Sequence, residues 1–119
     1  MSFRFEKLTV WNESRVVVGK IYKITSKFPK EERFALMDQI KRAAVSIALN
    51  IAEGSDKKSD KEFIKFLRTS LGSLEEVVTV LYIAWDLKYI NKEDFDLLYD
   101  ELNILASKIT ALINSIKKL

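Results

Sequence analysis

The chain has 119 residues, 48% hydrophobic and 31% charged, with a net charge of +3; this fits one globular domain with one core and excludes a disordered chain. It has no Cys and no His, which excludes disulfides, thiolate metal sites, Cys nucleophiles and the commonest general base. With 3 Gly and 1 Pro it has too few turn formers for a sheet-rich fold, so a few long helices joined by short loops are expected.

The start, MSFRFEKL, carries charges where the apolar core of a signal peptide would sit. The charge-free run Val77–Trp85 is far shorter than the ~20 residues that span a bilayer. A cytoplasmic protein with no membrane contact is therefore expected. The first helix is expected from about Val10 to Lys27. There Trp11, Ser14, Val18, Ile21, Thr25 and Phe28 trace one face at steps of three and four. Phe28-Pro29 ends it, because proline disfavours a helical residue before it. A second helical segment runs from about Pro29 to Ser55, with a break expected near Met37 and Asp38 as the cap of a restart; Gly54 is expected to stop it. The third helix opens on Ser59-Asp60-Lys61-Glu62, a reciprocal capping pattern, and should reach about Leu87. Asn91 caps a fourth helix, along which Phe95, Leu98, Leu102, Leu105, Ile109, Leu112 and Ile116 form an unbroken heptad seam. Short connections predict an all-α fold: a single domain over residues 1–119, an antiparallel up-down four-helix bundle.

Two helices are too apolar for a lone bundle. From Ala43 to Ala52 there is no charge, and Ile40, Ala44, Ile47 and Ile51 form one apolar row while Val45, Leu49 and Ala52 form another. Val77–Trp85 is apolar on nearly every side. A helix apolar all round is buried all round, and four helices cannot surround two of their own number. A homo-oligomer is expected; the alternative is packing within one chain that hides both faces. Along the same second helix Gln39, Arg42, Ser46, Asn50 and Glu53 make a polar stripe, facing Thr69, Ser73 and Glu76 on the third. A buried hydrogen-bond network is expected there, with Arg42 paired to Glu76 or Glu53; a ligand site is the alternative.

The segments FEKLTVW (5–11), FPKEERFAL (28–36), QIKRAAVSIALNIAEGS (39–55), KEFIKFL (61–67) and LGSLEE (71–76) carry a resemblance. The chain resembles the small bacterial four-helix-bundle proteins encoded by intervening sequences within 23S ribosomal RNA genes. The match covers about the first three quarters of the chain, in order; the fourth helix matches only in character. The resemblance implies a bundle assembling into a homopentameric ring. It also implies a distant similarity to accessory proteins of diversity-generating retroelements, basic pentamers that associate with a reverse transcriptase and nucleic acid. Ala35 stands where members often have Gly, and Ala48 where they often have Pro, so a blunter break and a straighter second helix are expected here.

Charge is segregated along the chain. Lys58, Lys61, Lys65 and Arg68, with Lys57 before them, make a basic ridge on the third helix, and Lys20, Lys23 and Lys27 make another on the first. Residues 86–101 hold six acids, Asp86, Glu93, Asp94, Asp96, Asp100 and Glu101, against Lys88 and Lys92. The ridges suit phosphates of RNA or DNA without base specificity; the alternative is an ordinary solvated helix surface. No stacking aromatic is interleaved with them. No catalytic constellation, metal set or cofactor motif is found: the glycines Gly19, Gly54 and Gly72 are isolated, and Glu75 and Glu76, adjacent on a helix, diverge by about 100°. Gly72 is expected to serve close helix packing. The expectation is a non-enzymatic oligomer that binds nucleic acid or acts as an adaptor for a partner protein; the alternative is a pure protein-interaction scaffold.

Overall fold

Local chemistry sets the helix ends. The structure, a computed structural model, describes residues 2–119 and contains helices α1 (Thr9–Thr25), α2 (Leu36–Ser55), α3 (Asp60–Asp86) and α4 (Lys92–Lys117). Short 3₁₀ turns at Arg4–Lys7 and Lys30–Glu32 precede α1 and α2, and no strand occurs among the described residues. The Ser59 hydroxyl accepts from the Glu62 amide at 3.1 Å, which is one arm of the expected cap on α3. The Asn91 side chain accepts from the Asp94 amide at 2.8 Å and starts α4. α3 stops in a six-residue loop-back. Lys88 adopts φ 64°, its amide bonds to the Trp85 carbonyl at 2.9 Å, and the Tyr89 amide bonds to the Ala84 carbonyl at 2.8 Å.

Three local expectations are corrected. The break in the second segment falls at Ala35, whose φ −125° and ψ −105° lie outside the helix, rather than near Met37. Asp38 is inside the first turn of α2 and caps nothing; its carboxylate takes Arg42 Nε at 2.8 Å. Gly54 does not stop α2, which continues through Ser55. It lies instead where α3 comes closest: a Cβ there would stand 2.6 Å from Phe66 Cβ and 3.1 Å from Phe63 Cδ1. Gly72, in contrast, has nothing within 4 Å of a built Cβ, so it serves no close packing. α2 runs unbroken through Ala48.

α2 packs most extensively on α3, with α1 beside α2 and α4 closing the set against α1 and α3. Neighbours meet in reversed chain order. Ser46 Oγ lies 2.8 Å from Ser73 Oγ, while Ser70 Oγ donates to the Ile47 carbonyl at 2.9 Å. Between α1 and α4, Glu13, Lys20 and Lys27 meet Lys108, Glu101 and Asp94 respectively. The molecule measures 46 × 24 × 21 Å, and its long dimension is set by α3, at ~1.5 Å per residue.

The buried side chains form one cluster, contributed by all four helices. The α4 seam enters it as expected from Phe95 to Ile109, then passes to Ile113 while Leu112 is half-buried. On α1 the buried face is Val10, Ser14, Val17, Ile21, Ile24, Thr25 and Phe28. Trp11 and Val18 sit at its edge, half-buried toward α2. The four buried hydroxyls, Ser14, Thr25, Ser55 and Ser70, each donate to a backbone carbonyl at 2.7–2.9 Å. Only Ser70 reaches another helix. No buried side-chain polar atom lacks a partner among the described residues, as a well-formed core requires.

Candidate nucleic-acid interface

The two basic ridges differ in what surrounds them. Along α1, Lys20 Nζ pairs with Glu101 at 2.8 Å and Lys27 Nζ with Asp94 at 2.6 Å. Lys23 is exposed between them, above the same two carboxylates. These acids belong to the 86–101 cluster on α4, so the fold spends the first ridge neutralising the acidic segment. The α1 lysines and the acids share one end of the molecule.

The α3 ridge lies toward the other end. Lys58, Lys61, Lys65 and Arg68 are exposed and form no ion pair among the described residues. Lys61, Lys65 and Arg68 line a shallow depression with Ser59, Glu62, Ile64 and Thr69. Residues 57–68 hold five bases against Asp60 and Glu62, so a positive balance stays on the surface. Lys57 is held differently: its Nζ lies 4.0 Å from Glu53 and 5.2 Å from the Phe66 ring centre. Phe66 is half-buried beneath it rather than presented to solvent. The ridge thus offers point charges to an anionic backbone and no ring for a base to stack on.

The polar stripe of α2 resolves into two parts. Ser46, Ser73 and Asn50 form a half-buried network, with Asn50 Nδ2 donating to the Ser46 carbonyl at 2.8 Å and to its Oγ at 3.0 Å. Gln39, Arg42, Glu53 and Glu76 are exposed and outside it. The expected buried pair of Arg42 with Glu76 or Glu53 does not form; Arg42, with its side chain 79% exposed, pairs with Asp38 one turn away. The physical reason is depth. The α2/α3 groove closes over side chains as short as Ser and Asn, while the longer ones at its rim stay hydrated at far lower cost than burial.

Sequence reasoning missed the reach of the N-terminal segment. Arg4 Nη1 donates to the Ser55 carbonyl at 3.1 Å, and its guanidinium lies 5.5 Å from the Phe63 ring centre. This ties residues before α1 to the α2–α3 corner beside the basic ridge. It also missed Tyr89, whose hydroxyl donates to Glu32 at 2.7 Å and joins the two loops at the far end. That hydrogen bond, with burial and the charges of Glu32 and Glu31 behind it, raises the Tyr89 pKa. Both contacts join residues more than fifty apart, and neither has a local signature. No helix among the described residues is long and apolar enough to cross a membrane.

Comparison with known proteins gives a family and a fold. The family model described as 23S rRNA-intervening sequence protein matches residues 6–111. A crystal structure from Bacteroides thetaiotaomicron, of a protein with unknown function from the S23 ribosomal protein family, aligns with a TM-score of 0.79. The alignment covers 88% of this chain and 98% of that one at 23% identity, a likeness of fold. Among curated proteins, none matches.

Proposed function

The chain belongs to the 23S rRNA-intervening sequence protein family, and from that premise we propose that it is a non-enzymatic, ring-forming adaptor that binds RNA or DNA through the α3 ridge. The observation that carries this reading is the unpaired state of Lys58, Lys61, Lys65 and Arg68, beside an α1 ridge whose charges are taken up by α4. Reversed contact order between neighbouring helices supports an antiparallel up-down arrangement of one domain. In that arrangement the ridge is carried at one end and the acidic cluster at the other. A homopentamer would repeat the ridge five times around an axis, so that individually weak phosphate contacts act together.

The exposed apolar groove between α1 and α2 favours a second reading, a scaffold that contacts only protein. Filter binding of single- and double-stranded RNA and DNA separates the two. Retention should fall steeply with salt, and Lys61→Glu/Lys65→Glu should abolish it while the assembly keeps its mass. Salt-independent retention, or no retention at low salt, would reject nucleic-acid binding and leave the scaffold.

A further inference from the structure

Two faces of the monomer carry exposed apolar side chains together with charges that have no partner in the chain. The first is the α1/α2 groove. Trp11, Val18, Val45 and Ala48 line it, and Leu49 stands in it 62% exposed. Its basic groups make no ion pair. Arg15 lies over the Trp11 ring at 4.9 Å, and Lys41 over Tyr22 at 4.8 Å. The second is the outer side of the C-terminal half of α3. Tyr82, Ile83 and Leu87 are 45%, 39% and 50% exposed there. The neighbouring carboxylates Glu75, Glu76 and Asp86 are exposed and also form no ion pair.

A third exposed apolar set, Val16, Leu97 and Ile104, lies along α1 and α4. Its charges are already satisfied within the chain by the Glu13–Lys108, Lys20–Glu101 and Lys27–Asp94 pairs. It offers apolar surface with no unmatched charge. The first two faces differ from it, and from each other in sign: one is apolar with basic groups, the other apolar with acidic groups. Their heights also correspond. Ser46 is opposite Ser73, so Lys41, five residues earlier on α2, is level with about Val78, within one turn of Glu75 and Glu76.

Resting on the ring reading above, we infer that these two faces are the two halves of one interface between copies. The outer C-terminal half of α3 of one chain seats in the α1/α2 groove of the next. Tyr82 and Ile83 cover Leu49 and Val45, while Glu75 and Glu76 meet Lys41 and Arg15. A face that pairs with itself makes a dimer. Two different faces that pair head to tail make a closed ring when the rotation permits. Charge complementarity across the contact also rejects the like-faced alternatives, since groove on groove would set Arg15 and Lys41 against their own copies.

Light scattering on the full chain tests this with three variants, each checked for native helicity by circular dichroism. The wild type should have a mass near five times 13.8 kDa. Arg15→Glu/Lys41→Glu and Glu75→Lys/Glu76→Lys should each fall to the monomer mass. The chain carrying all four substitutions restores opposite signs and should regain the assembled mass. A monomeric wild type would overturn the ring reading and this inference together. An assembled wild type whose mass neither double variant lowers would overturn the face assignment alone, as would double variants that dissociate without rescue in the fourfold chain.

Discussion

Replacing Gly54 with Ala tests the closest approach in the molecule. The added Cβ would stand 2.6 Å from Phe66 Cβ, 3.1 Å from Phe63 Cδ1 and 3.3 Å from the Phe63 carbonyl oxygen. Carbon atoms in contact sit at ~3.5–4.0 Å, so the two helices must part by about 1 Å at this point. Phe66 Cβ is bonded to the α3 backbone and cannot swing aside, as the end of a flexible side chain could. Parting the helices strains the Ser70–Ile47 and Ser46–Ser73 hydrogen bonds further along the same interface. Overpacking of this kind costs about 1–3 kcal/mol. Alanine in a helix gains about 1 kcal/mol over glycine, so the net expectation is a loss of about 1–2 kcal/mol. Gly19 is the internal control. It too lies in a helix, but a Cβ there has nothing within 4 Å. Gly19→Ala should therefore show the propensity gain alone, about 0.5–1 kcal/mol. Urea denaturation followed by circular dichroism, at equal chain concentrations, should give opposite signs for the two substitutions. If Gly54→Ala is as stable as Gly19→Ala, the account of this corner is wrong.

Lys88 holds φ 64° at the end of α3, a conformation that costs an L-residue about 1–2 kcal/mol. Lys88→Gly should raise the midpoint of urea unfolding, by about 0.5–1 kcal/mol after glycine's greater freedom in the unfolded chain is counted; an unchanged or lowered midpoint would contradict the αL cap. Tyr89 predicts a pH effect. Its hydrogen bond to Glu32 raises the phenol above its ordinary 10.0, so the stabilisation is full below that value and is lost as pH rises through the raised one. Tyr89→Phe should be less stable than wild type at neutral pH, with the gap narrowing above pH 10.0. Lys92, raised by its hydrogen bond to Asp96, shifts stability in the same direction in both proteins and cancels in the comparison. A gap independent of pH would mean that the Tyr89–Glu32 bond carries no stability.

The elements that local chemistry governs were legible in the chain. Side-chain oxygens three residues ahead of a helical amide mark Ser59 and Asn91 as starts, and the α4 seam names most of its own buried face. Where local patterns compete, the reading drifted. On α1 nearly every third position is apolar, so Trp11 and Val18 were as eligible for the core as Val10 and Val17; contact with α2 and α4 together selects the latter. Gly54 was eligible as a terminator because glycine ends helices often, yet its use here depends on Phe66, twelve residues on. The candidate site divides the same way. Both lysine ridges are visible as spacing, but nothing local tells a paired ridge from an unpaired one.

The sequence by itself determined the fold class and where α3 and α4 start, because periodicity, caps and breakers act within a few residues. It also marked Ala43–Ala52 and Val77–Trp85 as carrying more apolar surface than one face needs. Tertiary structure decided which of that surface stays outside: Leu49 on one side, Tyr82 and Ile83 on another. It also decided that Lys20 and Lys27 meet acids while Lys61, Lys65 and Arg68 do not. Charge pairing falls off over a few ångströms, and partners some seventy to eighty residues apart are brought within that range only when α4 folds back along α1.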